Sequence, residues 1–162
     1  MLKKPIKRSE YLKPFSKDHH FSLLFCWKIR QGLRKEVAVE RICKYVQYFW
    51  QQHLLPHFEE EELILFTSVN DKAVQKALKE HKQIWQQRED LGNCTGKNVQ
   101  KRLEKLADMV DEHVRYEERE LFPQLEKKFS KDQLENLERY IQKHQPSSLP
   151  EQYEDEFWNI KE

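Results

Sequence analysis

Apolar residues along this chain fall at helical spacing in long stretches, and few segments alternate as a half-buried strand would. The pattern predicts an all-α chain of long amphipathic helices. Ser16 can cap a first helix running through Leu33, with Gly32 near its end and residues 1–15 as an irregular arm. A second helix runs from about Glu36 to about Ser68, and Pro56, which lacks an N–H, bends it directly before His57. Asn70 or Asp71 caps a third helix ending near Leu91. Gly92-Asn93-Cys94-Thr95-Gly96 is a loop, and a fourth helix spans about Lys97 to Lys128. Ser130 with Gln133 three residues on forms a capping box for a short fifth helix to about His144. Pro146 to Pro150 ends it and leaves a tail over 146–162, in which Tyr153, Phe157 and Trp158 are expected to dock on the bundle.

Within that pattern one motif occurs twice. His57-Phe58-Glu59-Glu60-Glu61-Glu62-Leu63-Ile64-Leu65-Phe66 is matched by His113-Val114-Arg115-Tyr116-Glu117-Glu118-Arg119-Glu120-Leu121-Phe122. Residues four apart share a helix face, so His57 pairs with Glu61 and His113 with Glu117. Each copy follows a helix carrying an acid and then a histidine, Asp18-His19 and Glu80-His81. The order reads as two similar helical hairpins around one core. Two imidazole and carboxylate pairs face to face suit two metal ions bridged by the carboxylates.

Not every histidine or acid belongs to that set. His19 and His20 lie about 100° apart on a helix and cannot share a face. The parallel of Asp18-His19 with Glu80-His81 favours His19. Leu23 and Leu24, which follow His20 as Ile84 and Trp85 follow His81, favour His20. His53 stands one turn before His57 and is expected to support a ligand by hydrogen bonding rather than to bind metal itself. Glu59, Glu60 and Glu62 read as a solvated face and His144 as a surface residue. Tyr45, Tyr48, Phe49, Trp50, Trp27 and Trp85 read as core packing.

Composition narrows the classes. A chain of 162 residues with three glycines and six prolines is one domain able to bury a core unaided. A formal charge of +1, with Lys and Arg dispersed, offers no patch for nucleic acid. No apolar run approaches the ~18 residues of a membrane span, and no signal-peptide core follows the first residues, so a cytoplasmic protein is expected. Cys26, Cys43 and Cys94, odd in number and widely spaced, are expected to be reduced thiols.

Over about residues 16–128 these motifs resemble the hemerythrin-like family, the HHE cation-binding domain. The signature is Asp18-His19-His20, His57-Phe58 through Glu61-Glu62, Glu80-His81, and His113 through Glu117-Glu118 with Leu121-Phe122-Pro123. The resemblance implies an up-down-up-down four-helix bundle around a non-haem centre of two iron ions. His19 (or His20), His57, His81 and His113 would be terminal ligands, and Glu61 and Glu117 bridges. Room would remain for an oxo or hydroxo bridge and an exogenous ligand.

The chain departs from the oxygen-carrying members. Ala77 and Trp85 flank His81 where those carriers place a second histidine, and His113 with Glu117 replaces their His-x-x-x-x-Asp pair. In this richer carboxylate set it is similar to the di-iron proteins that repair iron centres, without the Cys-rich N-terminal domain some of them have. Imidazole with carboxylate suits iron or manganese ahead of zinc. The expected function is to bind or react with dioxygen, nitric oxide or peroxide in sensing, stress protection or iron handling. An iron store or donor, and a metal-free structural bundle, are the competing readings.

Overall fold

A computed structural model describes residues 8–67, 69–144 and 151–159, and every regular element among them is helical. They are α1 (Lys13–Arg34), α2 (Val39–Phe49), α3 (Leu55–Glu60), α4 (Lys72–Leu91), α5 (Val99–Tyr116), α6 (Phe122–Lys128) and α7 (Lys131–His144), with a 3₁₀ turn at Phe157–Asn159. Wide π-turns at Trp50–Leu54, Glu61–Leu65 and Glu117–Leu121 carry the chain through α2 and α3 and from α5 into α6. α1 packs along α5, α4 also lies against α5, and α1 contacts α2. None of these helices is long and apolar enough to cross a membrane.

Local chemistry sets the ends, in places away from the expected residues. α1 begins before Ser16 because Pro14 occupies its first turn, where a missing N–H costs nothing. The expected arm is therefore helical from Lys13, and Leu12 and Phe15 are already core residues. Glu36 has a φ of 54°, which stops α1 and delays α2 to Val39. Asp71 accepts a bond from the Val74 N–H at 3.0 Å and caps α4. Asn98, at a φ of 72°, holds α5 back to Val99. The Ser130 and Gln133 box forms reciprocally, at 2.8 and 3.2 Å. Ser68, residues 145–150 and the His144 side chain lie outside the described residues.

Two apolar clusters result. One gathers Phe25, Ile29, Ile42, Tyr45, Phe49, Leu103, Leu106 and Val110; the other gathers Leu12, Phe15, Leu65, Phe66, Val74, Leu121, Phe122 and Leu125. The tail docks on the first, with Phe157 and Trp158 buried. Gly32 makes this possible, since a Cβ there would stand 2.8 Å from Phe157 and 2.9 Å from Ile42. Glu151 accepts from Lys28 Nζ (2.7 Å) and the Tyr45 hydroxyl (2.6 Å), which satisfies a buried ion pair below the tail.

Two expectations are corrected. Trp27 and Trp85 are 45% and 47% exposed, because both face away from the two clusters. Cys43 and Cys94 are joined in a disulfide, and only Cys26 is a free, buried thiol. Packing of α2 beside the 92–98 loop brings their Cα atoms within 6.3 Å, a proximity that a sequence separation of 51 does not reveal.

Candidate metal centre

Between the apolar clusters lies a layer of ionisable side chains. α1 contributes His19, α3 contributes His57, α4 contributes His81 and α5 contributes His113; Glu61 and Glu117 each open one of the three π-turns. All six are buried, and both glutamates are 0% exposed. They form two groups, His19 with His57 and Glu61, and His81 with His113 and Glu117, whose ligand atoms lie within 4.8 Å of one another. The groups adjoin: Glu117 comes within 3.6 Å of His81 Nε2 and 3.9 Å of His19 Nε2, and directly contacts His113. Phe58 stacks on His81 at 4.0 Å and Phe122 on His19 at 5.1 Å, so an aromatic ring from each cluster closes the layer.

The π-turns arise at the carboxylates. The Glu61 carbonyl accepts from Phe66 N–H (3.0 Å) and the Glu117 carbonyl from Phe122 N–H, each one residue further along than in an α-helix. The third π-turn precedes Pro56, where a regular helix would need the N–H that proline lacks. Proline at 56 foretold a disturbance, but no residue pattern foretold the widening at Glu61.

Each histidine of the layer is held by an acid at Nδ1, and two of the four supports cross between hairpins. Asp18, beside His19, bonds His57 (3.1 Å), and Glu80, beside His81, bonds His113 (2.8 Å). Glu62, after Glu61, bonds His81 (3.2 Å), and Glu118, after Glu117, bonds His19 (2.6 Å). Arg8 in turn donates to Glu118 at 2.9 Å. An Nδ1–H given to a carboxylate leaves Nε2 as a lone pair aimed inward. All four Nε2 atoms and both carboxylate oxygens of Glu61 and of Glu117 are buried with no hydrogen-bond partner outside the layer itself. Buried polar atoms are rarely left so, and this set matches the nitrogen and oxygen donors of two cations. A family model described as the hemerythrin HHE cation-binding domain matches residues 18–125. The chain belongs to this hemerythrin family. No curated protein and no solved structure matches it.

The family match takes in the whole buried set and ends before the docked tail. In this hemerythrin domain His19 faces the layer, whereas His20 is exposed, its ring 5.6 Å from Phe21. His53 stands apart from both groups; it lies 3.5 Å from the Tyr48 hydroxyl and stacks on Phe49. The support expected of His53 comes instead from Asp18, Glu62, Glu80 and Glu118. Their signal in the sequence was adjacency, since each is a chain neighbour of a histidine or glutamate of the layer.

The carboxylates of the layer favour the protonated form of its imidazoles. Burial opposes charge on His57, yet Glu61 and Asp18 outweigh it and raise its pKa well above the usual imidazole range. His113 is raised to about 10, again against burial, by Glu117 and Glu80. Burial and the neighbouring Glu117 push Glu61 up. Burial acts the same way on Glu117, but His113 and the other partners hold it low.

Proposed function

We propose that this hemerythrin domain is an up-down-up-down four-helix bundle carrying a di-iron centre that binds or reacts with small ligands such as dioxygen, nitric oxide or peroxide. His19, His57, His81 and His113 would be the terminal ligands, and Glu61 and Glu117 the bridging ones. The observation that carries the reading is the buried donor set whose inward atoms have no hydrogen-bond partner outside the set. Four nitrogens and two carboxylates give each cation about four protein donors, and iron bound so would supply open positions for a small ligand and a redox couple. The chain's part is to orient and to exclude water: the Nδ1 acids fix the imidazoles, and Phe58 and Phe122 cover them.

Elemental analysis of natively purified protein, with visible absorption before and after anaerobic reduction and return to air, tests this. Two irons per chain and a charge-transfer band restored by air are expected; a stable metal-free protein would overturn the reading.

The protons of the stripped layer set a pH dependence of definite sign. A histidine with a raised folded pKa stabilises the metal-free fold fully below about 6.5, its unfolded value, and loses that contribution as pH rises through the folded pKa, about 10 for His113. Metal needs the same imidazole neutral, so affinity rises across that window. The gap in melting temperature between loaded and stripped protein should therefore widen from pH 6.5 upward, and a constant gap would contradict it.

A further inference from the structure

The two halves of the centre repeat each other in their ligands but not in their surroundings. A cavity of about 70 Å³ reaches from exposed Gln52 to buried His57, lined also by Asp18, Ser22, His53 and Glu60. With a water molecule occupying roughly 30 Å³ in the liquid, the space suits a small, partly hydrated ion. Its donors are carboxylates, an amide, a hydroxyl and an imidazole, and no Lys or Arg lines it.

The equivalent positions of the second half are built differently. Where the first hairpin has His53 the second has Met109, and where it has Ser22 the second has Ile84, which is fully buried. Gln52 corresponds to Asp108, which is ion-paired with Arg30 at 2.7 Å; Arg30 also holds Asp111 at 2.8 Å. Apolar side chains thus stand where the first half has His53 and Ser22, and a carboxylate already paired with Arg30 stands where it has Gln52. The opening beside His81 is lined by Trp50, Leu55, Phe58 and Trp85, and its carboxylates Glu59 and Glu62 share it with the ammonium of Lys82.

We propose that the cavity beside His57 is the port through which a divalent cation enters and leaves the centre, resting in transit on Asp18 and His53. This rests on the metal-binding reading above. A carboxylate-lined cleft raises the local concentration of cations. Two carboxylates and no lysine or arginine line the cavity beside His57, whereas beside His81 Lys82 offsets part of the charge of Glu59 and Glu62, and Arg30 is paired with Asp108 and Asp111. Burial lowers the pKa of His53, against the pull of Glu151 and Asp18, so its imidazole is a neutral donor rather than a competing charge. Asp18 touches the cavity and also bonds His57 Nδ1, so an ion reaching it is one ring away from the inward Nε2. The tail borders this port, since the Tyr48 hydroxyl lies within 3.3 Å of the Gln152 carbonyl as well as near His53.

The test is the rate of metal exchange in the full-length chain. Cobalt(II) uptake by stripped protein is followed by stopped-flow absorption, and iron(II) release to a chelator is followed anaerobically. His53→Met, which copies the second half and removes the donor on which the ion rests, should slow uptake and release alike by about tenfold, a barrier raised by about 1.4 kcal/mol. Saturating stoichiometry should stay at the wild-type value, which also shows the variant to be folded. Trp85→Ala, which widens the opening beside His81, should leave both rates unchanged. Unaltered rates in His53→Met, or rates that respond to Trp85→Ala instead, would overturn the port while leaving the metal reading intact. Absence of metal uptake by the wild-type chain would remove the reading itself.

Discussion

Glu117→Gln is expected to reduce bound metal from two ions per chain to at most one, although it hardly alters side-chain volume. Glu117 directly contacts His113, approaches His81 Nε2 at 3.6 Å, and reaches toward the other half at His19 Nε2. No other side chain of the layer is placed beside three of the four imidazoles. An amide offers one neutral oxygen where the carboxylate offers two charged ones, so the site loses both attraction and the means to span two ions. A ligand present at a thousandfold its Kd stabilises the fold by about 4 kcal/mol. At about 2–4 °C per kcal/mol for a chain of this length, the loss is on the order of 10 °C in melting temperature. Stoichiometry and melting should fall together, and Glu59→Gln on the exposed face of α3 should change neither. Two ions retained with an unshifted melting point would show that Glu117 is not a ligand.

Cutting the Cys43–Cys94 bridge should cost nearly as much by a separate route. The bridge spans 51 residues and ties α2 to the loop between α4 and α5. By the chain-entropy argument a cross-link of that span disfavours the unfolded state by about 4 kcal/mol. The Cys43→Ser and Cys94→Ser variants, and the wild-type chain in dithiothreitol, should melt at similarly lowered temperatures. Their metal content should be unaffected, because the bridge lies outside the two ligand groups. Equal melting with and without reductant would deny the bridge a stabilising role.

The helical class, the capping box at Ser130 and the loop at Gly92 were legible because each has a local cause in spacing or turn chemistry. The ligand residues stood out because His-x-x-x-Glu places both groups on one face whatever lies across from them. The sequence left His19 and His20 open, since the competing parallels of acid and apolar neighbours carried no information about rotation of α1. Packing decides that rotation, and it turns His20 to solvent. The disulfide and the Nδ1 acids were hidden for the same reason: Glu62 with His81, or Glu118 with His19, become partners only once helices are set side by side. Trp27 and Trp85 mark the opposite limit. Their size argued for the core, and only the finished clusters show that neither has a place there.

The crossing of two Nδ1 supports would also govern how the proposed metal centre fills. His19 of the first group is anchored by the residue following Glu117 of the second, and His81 of the second by the residue following Glu61 of the first. When one glutamate is drawn to an ion, the turn it heads becomes fixed, and with it the acid that aligns an imidazole of the opposite group. In the proposed two-metal centre the first ion would therefore complete part of the second ion's site, and the ordering cost would fall largely on the first binding event. Singly loaded chains should be scarce at every metal concentration, so that a titration passes from empty to full in a sigmoidal step.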